Sequence, residues 1–149
     1  MKHFIRPIGI LVVSLVFLTL GYANAAEIPS PAAGVNIKPP APDLPSNLAA
    51  FSGTWEGYWG GILPSRLVVE EIYLDKAIVV YAWGDHPQGR FRGGWTRVTA
   101  KVLPGGAIEW GGGERSKFTF TMGKDFKAID GKREFRDQVD RVTMTRKAP

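Results

Sequence analysis

From Phe51 onward, apolar and polar residues alternate with a period of two, the signature of strands that bury one face. Eight segments carry the pattern: Thr54–Gly60, Ser65–Tyr73, Ala77–Gly84, Gly94–Leu103, Ala107–Trp110, Lys117–Met122, Phe126–Phe135 and Arg141–Arg146. In the third, Val79, Tyr81 and Trp83 alternate with Ile78, Val80 and Ala82. In the fourth, Val98, Ala100 and Val102 share one face, and Trp95, Arg97, Thr99 and Lys101 share the other. In the sixth, Phe118, Phe120 and Met122 oppose Lys117, Thr119 and Thr121, and in the eighth Val142 and Met144 turn inward. No helical period runs through this region.

Leu74–Lys76, Pro104–Gly106, Gly111–Gly113 and Gly123–Asp125 read as hairpin turns, and Asp85–Gly93 as a longer loop. Asp130-Gly131 reads either as a turn or as a glycine bulge inside one long strand; the bulge is preferred, because a turn would leave very short strands. Consecutive antiparallel strands leave two exposed edges, which closure removes. The expected fold is therefore all-β, a small antiparallel up-and-down β-barrel of about eight strands, with a two-sheet β-sandwich as the alternative.

The pattern before Phe51 is different. Lys2 and Arg6 precede an apolar run from Ile8 to Tyr22, and Ala23-Asn24-Ala25 follows it. A positive start, a short apolar stretch and a small-x-small site form a secretory signal peptide, cleaved after Ala25. The run is shorter than the roughly twenty residues that cross a bilayer. Export to the periplasm or the extracellular space, without a membrane span, is the expectation. Glu27–Ala50 holds six of the eleven prolines and reads as an extended spacer. Ser46 is placed to cap one helical turn that brings Leu48 and Phe51 over an end of the domain. The division is thus a signal peptide at 1–25, a Pro-rich linker at 26–50 and a β-barrel domain at 51–149.

Composition narrows the chemistry. The chain has no cysteine, which removes disulfides, thiol catalysis and cysteine metal sites. Without Lys2 and Arg6 there are 17 basic side chains against 14 acidic ones, a mild excess of three and no footprint for nucleic acid. Arg90, Arg92, Lys132, Arg133 and Arg136 form a candidate basic patch for an anionic envelope polymer or lipid surface.

Gly53-Thr54-Trp55 opens the first strand just after the short helical turn. This arrangement resembles the calycin group of lipocalins and avidin-like proteins, and the small secreted bacterial barrels of that type. The resemblance implies an arginine from the last strand packed over the tryptophan at the barrel floor, with Arg146 in that place and Arg141 as the alternative. It also implies a cup for small apolar or amphipathic ligands. The second lipocalin motif, Thr-Asp-Tyr before a later strand, is absent, as are the usual cysteines.

The five tryptophans, Trp55, Trp59, Trp83, Trp95 and Trp110, are the most distinctive side chains. Trp55 is expected to be structural. Trp59 stands before Gly60-Gly61 and Trp95 after Gly93-Gly94, at strand ends where a barrel mouth opens. The candidate ligand-binding set is Trp59, Tyr81, Trp83, Trp95 and Arg97. The face shared by Trp95, Arg97 and Thr99 is either solvent-facing or the wall of a polar cavity. No catalytic constellation emerges. Asp85-His86 carries the single histidine after the leader, Gly-x-Ser-x-Gly is absent, and Glu70 and Glu71, as strand neighbours, are expected on opposite faces. Gly111–Glu114 lacks the Lys-Ser/Thr of a phosphate loop. The reading is an exported small-ligand-binding protein, with no enzyme activity, cofactor or metal. The alternative is a surface-interaction protein that grips an envelope polymer or a protein, for example a protease inhibitor with the linker as the inserted strand.

Overall fold

The computed structural model describes residues 27–148; the leader reading falls outside them. Eight strands close into an antiparallel barrel in which each pairs with its neighbour in sequence and β8 returns to β1. They are β1 (Gly53–Trp59), β2 (Leu63–Ile72), β3 (Lys76–Trp83), β4 (Gly94–Val102), β5 (Ile108–Gly111), β6 (Lys117–Met122), β7 (Ala128–Phe135) and β8 (Gln138–Arg146). Among the described residues one helix, α1 (Ser46–Ala49), precedes them. The sandwich alternative is excluded by closure.

Inward side chains fill the lower part of the barrel. Trp55, Leu67, Val69, Val79, Ala100, Ile108, Phe120, Ile129 and Met144 have no exposed surface. Two glycines make room for this packing. A Cβ at Gly57 would meet the Thr143 carbonyl at 2.6 Å, and one at Gly131 would meet Phe120 at 2.5 Å and Val142 at 2.7 Å. Small residues opposite large ones are how a narrow barrel closes on its own side chains. The bulge expected at Gly131 is absent, because β7 runs in unbroken register against both β6 and β8.

The bulge lies instead in β2, between Val69 and Glu71. It corrects the expected opposition of Glu70 and Glu71. The extra residue lets both carboxylates reach partners on the outside, Glu70 with Arg97 and Glu71 with Lys38.

α1 closes the floor. Its N-cap is Pro45, and Ser46 makes no capping bond, so that expectation is corrected. Proline sets the extended backbone from which the turn starts, and Leu48 and Phe51 plug the barrel end. The Trp55 indole donates to the Phe51 carbonyl at 2.8 Å. The Arg146 guanidinium lies 4.2 Å from the Trp55 ring centre and donates to the Ser52 carbonyl at 2.7 Å and to the Ala50 carbonyl. The arginine expected over the tryptophan is thus Arg146.

The Pro-rich segment does not stand off as a spacer. Asn36 N–H donates to Glu70 Oε1 at 2.9 Å and Lys38 N–H to the Glu70 carbonyl at 2.8 Å. Arg66 donates to Ser30 Oγ at 3.2 Å, and Arg97 to the Gly34 carbonyl at 3.4 Å. These bonds strap residues 30–38 over the outer face of β2, β3 and β4. Val68 and Val80, paired with each other on that face, are buried. The strap's backbone is met partly by side chains, Glu70 for the Asn36 N–H and Arg97 for the Gly34 carbonyl, and partly by the Glu70 carbonyl, without a full strand being added.

Candidate functional site

The mouth is the end opposite α1, where the β1–β2, β3–β4, β5–β6 and β7–β8 connections lie. A pocket of about 260 Å³ opens there, lined by Leu63, Tyr81, Trp83, Phe91, Thr96, Trp110, Phe118 and Arg133, with Ser116 at its side. A second pocket, also of about 260 Å³, shares Leu63, Phe91 and Arg133 with the first and adds Trp59, His86, Arg90 and Asp140. The floor below is solid with Phe120, Ile108 and Val79. The site is a shallow mouth above a packed core.

Strand alternation positions its walls. Tyr81 and Trp83 follow Val79 on the inner face of β3; Trp110 and Phe118 are paired residues of β5 and β6. The Trp110 and Phe118 rings stack with centres 5.2 Å apart and planes 13° apart, and Trp110 also stacks on Phe120 at 5.4 Å and 10°. Tyr81 sits 5.0 Å from Phe118 and 5.7 Å from Trp83. The Trp59 indole donates to the Tyr81 hydroxyl at 2.8 Å. Burial pushes the Tyr81 hydroxyl up, only partly offset by hydrogen bonds with Ser65 and Trp59, so it stays protonated at neutral pH. It is a fixed dipole of the wall and not an acid.

Arg133 is the polar element. It follows Ile129 and Gly131 on the inner face of β7, between Phe118 of β6 and Asp140 of β8. Its Nε donates to Asp140 Oδ2 at 3.0 Å, and Nη2 reaches the same oxygen. The residue was legible by parity, since Ile129, Gly131 and Arg133 are spaced by two. The sequence reading placed it instead in a basic patch with Arg90, Arg92, Lys132 and Arg136; Arg90 and Arg133 meet at the second pocket. Arg92 pairs with Asp85, Lys132 with Glu134, and Arg133 turns inward.

Of the five residues expected at the site, Tyr81 and Trp83 line the first pocket and Trp59 the second. Trp95 and Arg97 do not join them. Both face outward on β4, where Trp95 is 42% exposed and Arg97 is engaged with Glu70 at 2.8 Å. Of the two readings of that face, the solvent-facing one holds. Trp110, Phe118 and Phe91 complete the pocket.

The Asp85–Gly93 loop leans over the opening. Asp85 accepts from the Gly93 N–H at 2.6 Å and from Arg92 at 3.2 Å, bonds that hold its carboxyl below the usual range. Its carboxylate is therefore spent on the loop and does not orient His86. The His86 ring packs edge-on against Phe91, 5.0 Å between centres, and its Nδ1 accepts from the Gln88 N–H at 3.1 Å. This sets Phe91 at the junction of the two pockets.

One wall is low. β4 pairs with β3 from Gly94 to Lys101, but with β5 only at Lys101 and Val102. Gly94–Ala100 therefore borders an open slot beside Thr96, Trp110 and Ser116. Among the described residues, no three metal-ligating side chains come together and no helix is long and apolar enough to cross a membrane. No protein-family model matches the chain, and neither the curated proteins nor the solved structures contain a match to it.

Proposed function

We propose that the protein is an exported, non-catalytic binding protein of calycin type that holds a small apolar or amphipathic ligand in the barrel mouth. The observation that carries this reading is the aromatic pocket between Tyr81, Trp83, Trp110 and Phe118, left open above a core that is otherwise filled. Four aromatic side chains facing a common space expose apolar surface that a ligand would cover, and such concave apolar sites with a few polar groups are where small molecules bind. The glycine-x-tryptophan start, the floor helix and Arg146 over Trp55 support the calycin likeness. The Asp85 carboxylate is taken by Arg92 and the Gly93 N–H, and His86 Nδ1 by the Gln88 N–H, which favours binding over catalysis.

Native mass spectrometry of protein purified gently from its own cells tests the reading. The expected spectrum shows a chain lacking residues 1–25 and carrying an added mass that vanishes on denaturation. A bare chain, with tryptophan emission unmoved by a panel of aromatic and acyl compounds, overturns the binding reading. A chain that retains Met1 overturns the export reading.

A further inference from the structure

We infer that the ligand is a compact aromatic anion, with its ring against Trp110 and Phe118 and its charge on Arg133. This rests on the mouth-binding reading above and specifies its chemistry.

Three observations converge. The first is shape. The two adjoining pockets, each of about 260 Å³, are individually at or below the lower edge of ordinary ligand sites, about 300–1,000 Å³. Phe120 and Ile108 fill the depth that a long acyl chain would need, so a ring fits and an extended tail does not. The second is the wall. Trp110 and Phe118 line the first pocket beside Tyr81 and Trp83, and their mutual stack makes a rigid aromatic wall that suits an aromatic partner.

The third is charge. Arg133 faces inward, and both of its bonds end on one oxygen of Asp140. Among the described residues no protein acceptor takes its Nη1, so the guanidinium keeps a donor for a second acceptor. Arg90 lines the same outer pocket and makes no salt bridge among the described residues. The outer pocket thus sets two guanidinium groups against the one carboxylate of Asp140, an excess of one positive charge beside an apolar wall. A carboxylate joined to a ring satisfies both parts, because guanidinium reads carboxylate through paired, charge-assisted hydrogen bonds.

The test uses two probes of the same shape, 2-naphthoate and the uncharged 2-naphthamide, followed by energy transfer from the tryptophans. The expected result is that the protein binds naphthoate about tenfold more tightly than naphthamide. Arg133→Gln should erase that preference and leave naphthamide binding in place. Asp140→Asn should raise naphthoate affinity alone, because it frees Arg133 from its competitor. Equal binding of the two probes by the parent protein overturns the anion inference while the mouth-binding reading stands. Binding of neither overturns both for aromatic ligands. Should Arg133→Gln fail to fold, Asp140→Asn decides: a selective gain for naphthoate supports the inference, and parallel changes for both probes refute it.

Discussion

Replacing Gly131 by alanine tests whether the packing of the lower barrel governs its stability. The backbone of Gly131 is not in the left-handed region, so alanine meets no conformational penalty there. The new methyl would lie 2.5 Å from Phe120 and 2.7 Å from Val142, and both neighbours are buried. Phe120 cannot retreat freely, because it stacks on Trp110 and meets the edge of Trp59 at 6.2 Å. Overpacking of this kind costs about 1–3 kcal/mol. Loss of glycine's freedom in the unfolded chain returns about 0.4–1 kcal/mol. The net loss is about 1–2 kcal/mol, or about 5–15 °C in Tm for a domain of this size. Thermal unfolding followed by circular dichroism measures it. Gly131→Ala combined with Phe120→Leu should lose less than the sum of the single changes, since a smaller partner relieves the clash. An unchanged or raised Tm for Gly131→Ala, or strict additivity in the double variant, would show that the space above Gly131 is not what holds the wall in place.

Two further outcomes follow from the outer wall. Arg97 and, less strongly, the Asn36 N–H hold the Glu70 carboxyl below its ordinary value of 4.5, against the opposing effect of burial. A carboxyl depressed in the folded state adds stability that is present above its unfolded value and lost as pH falls through its folded value. Glu70→Gln should therefore lower Tm at neutral pH and speed proteolysis within residues 30–38. The difference from the parent should shrink below about pH 4.5; a difference constant across that range would refute the role given to Glu70. The slot beside β4 predicts an alternating exchange pattern. Along Gly94–Ala100 every second residue turns its N–H away from β3, and β5 supplies no partner there. Amide hydrogen exchange by NMR should show alternate fast and slow sites in this stretch, whereas uniform protection would mean that the slot is closed in solution.

The wall of the barrel was legible because burial on one face imposes a period of two, and turn residues punctuate it. Lys117–Met122 occupies the expected span, and the other strands differ from expectation only at their ends. Two features were not legible for physical reasons. The bulge at Glu70 has no glycine to mark it; its signature is a carboxylate buried by long-range partners at Asn36 and Arg97. The strap looks like a solvated linker because proline-rich chain lacks periodicity, yet β2 offers it hydrogen bonds that a spacer would not need. The site was half legible. Tyr81 and Trp83 follow from their shared face with Val79, but composition drew Trp95 and Arg97 into the set although their face also carries Thr99 and Lys101. Parity is the better guide: it separates those two from the pocket and brings Arg133 into it.

The pairing of β8 with β1 sets an order in time. Arg146 binds the carbonyls of Ala50 and Ser52, which precede it by 96 and 94 residues. The first strand therefore cannot complete its pairing, nor the floor its closure, until β8 is in place. Until β8 docks, β1 to β7 form an open curl of sheet with two free edges. Closure of the ring is a late event made from contacts far apart in sequence, the kind of topology that folds in milliseconds to seconds and not in microseconds.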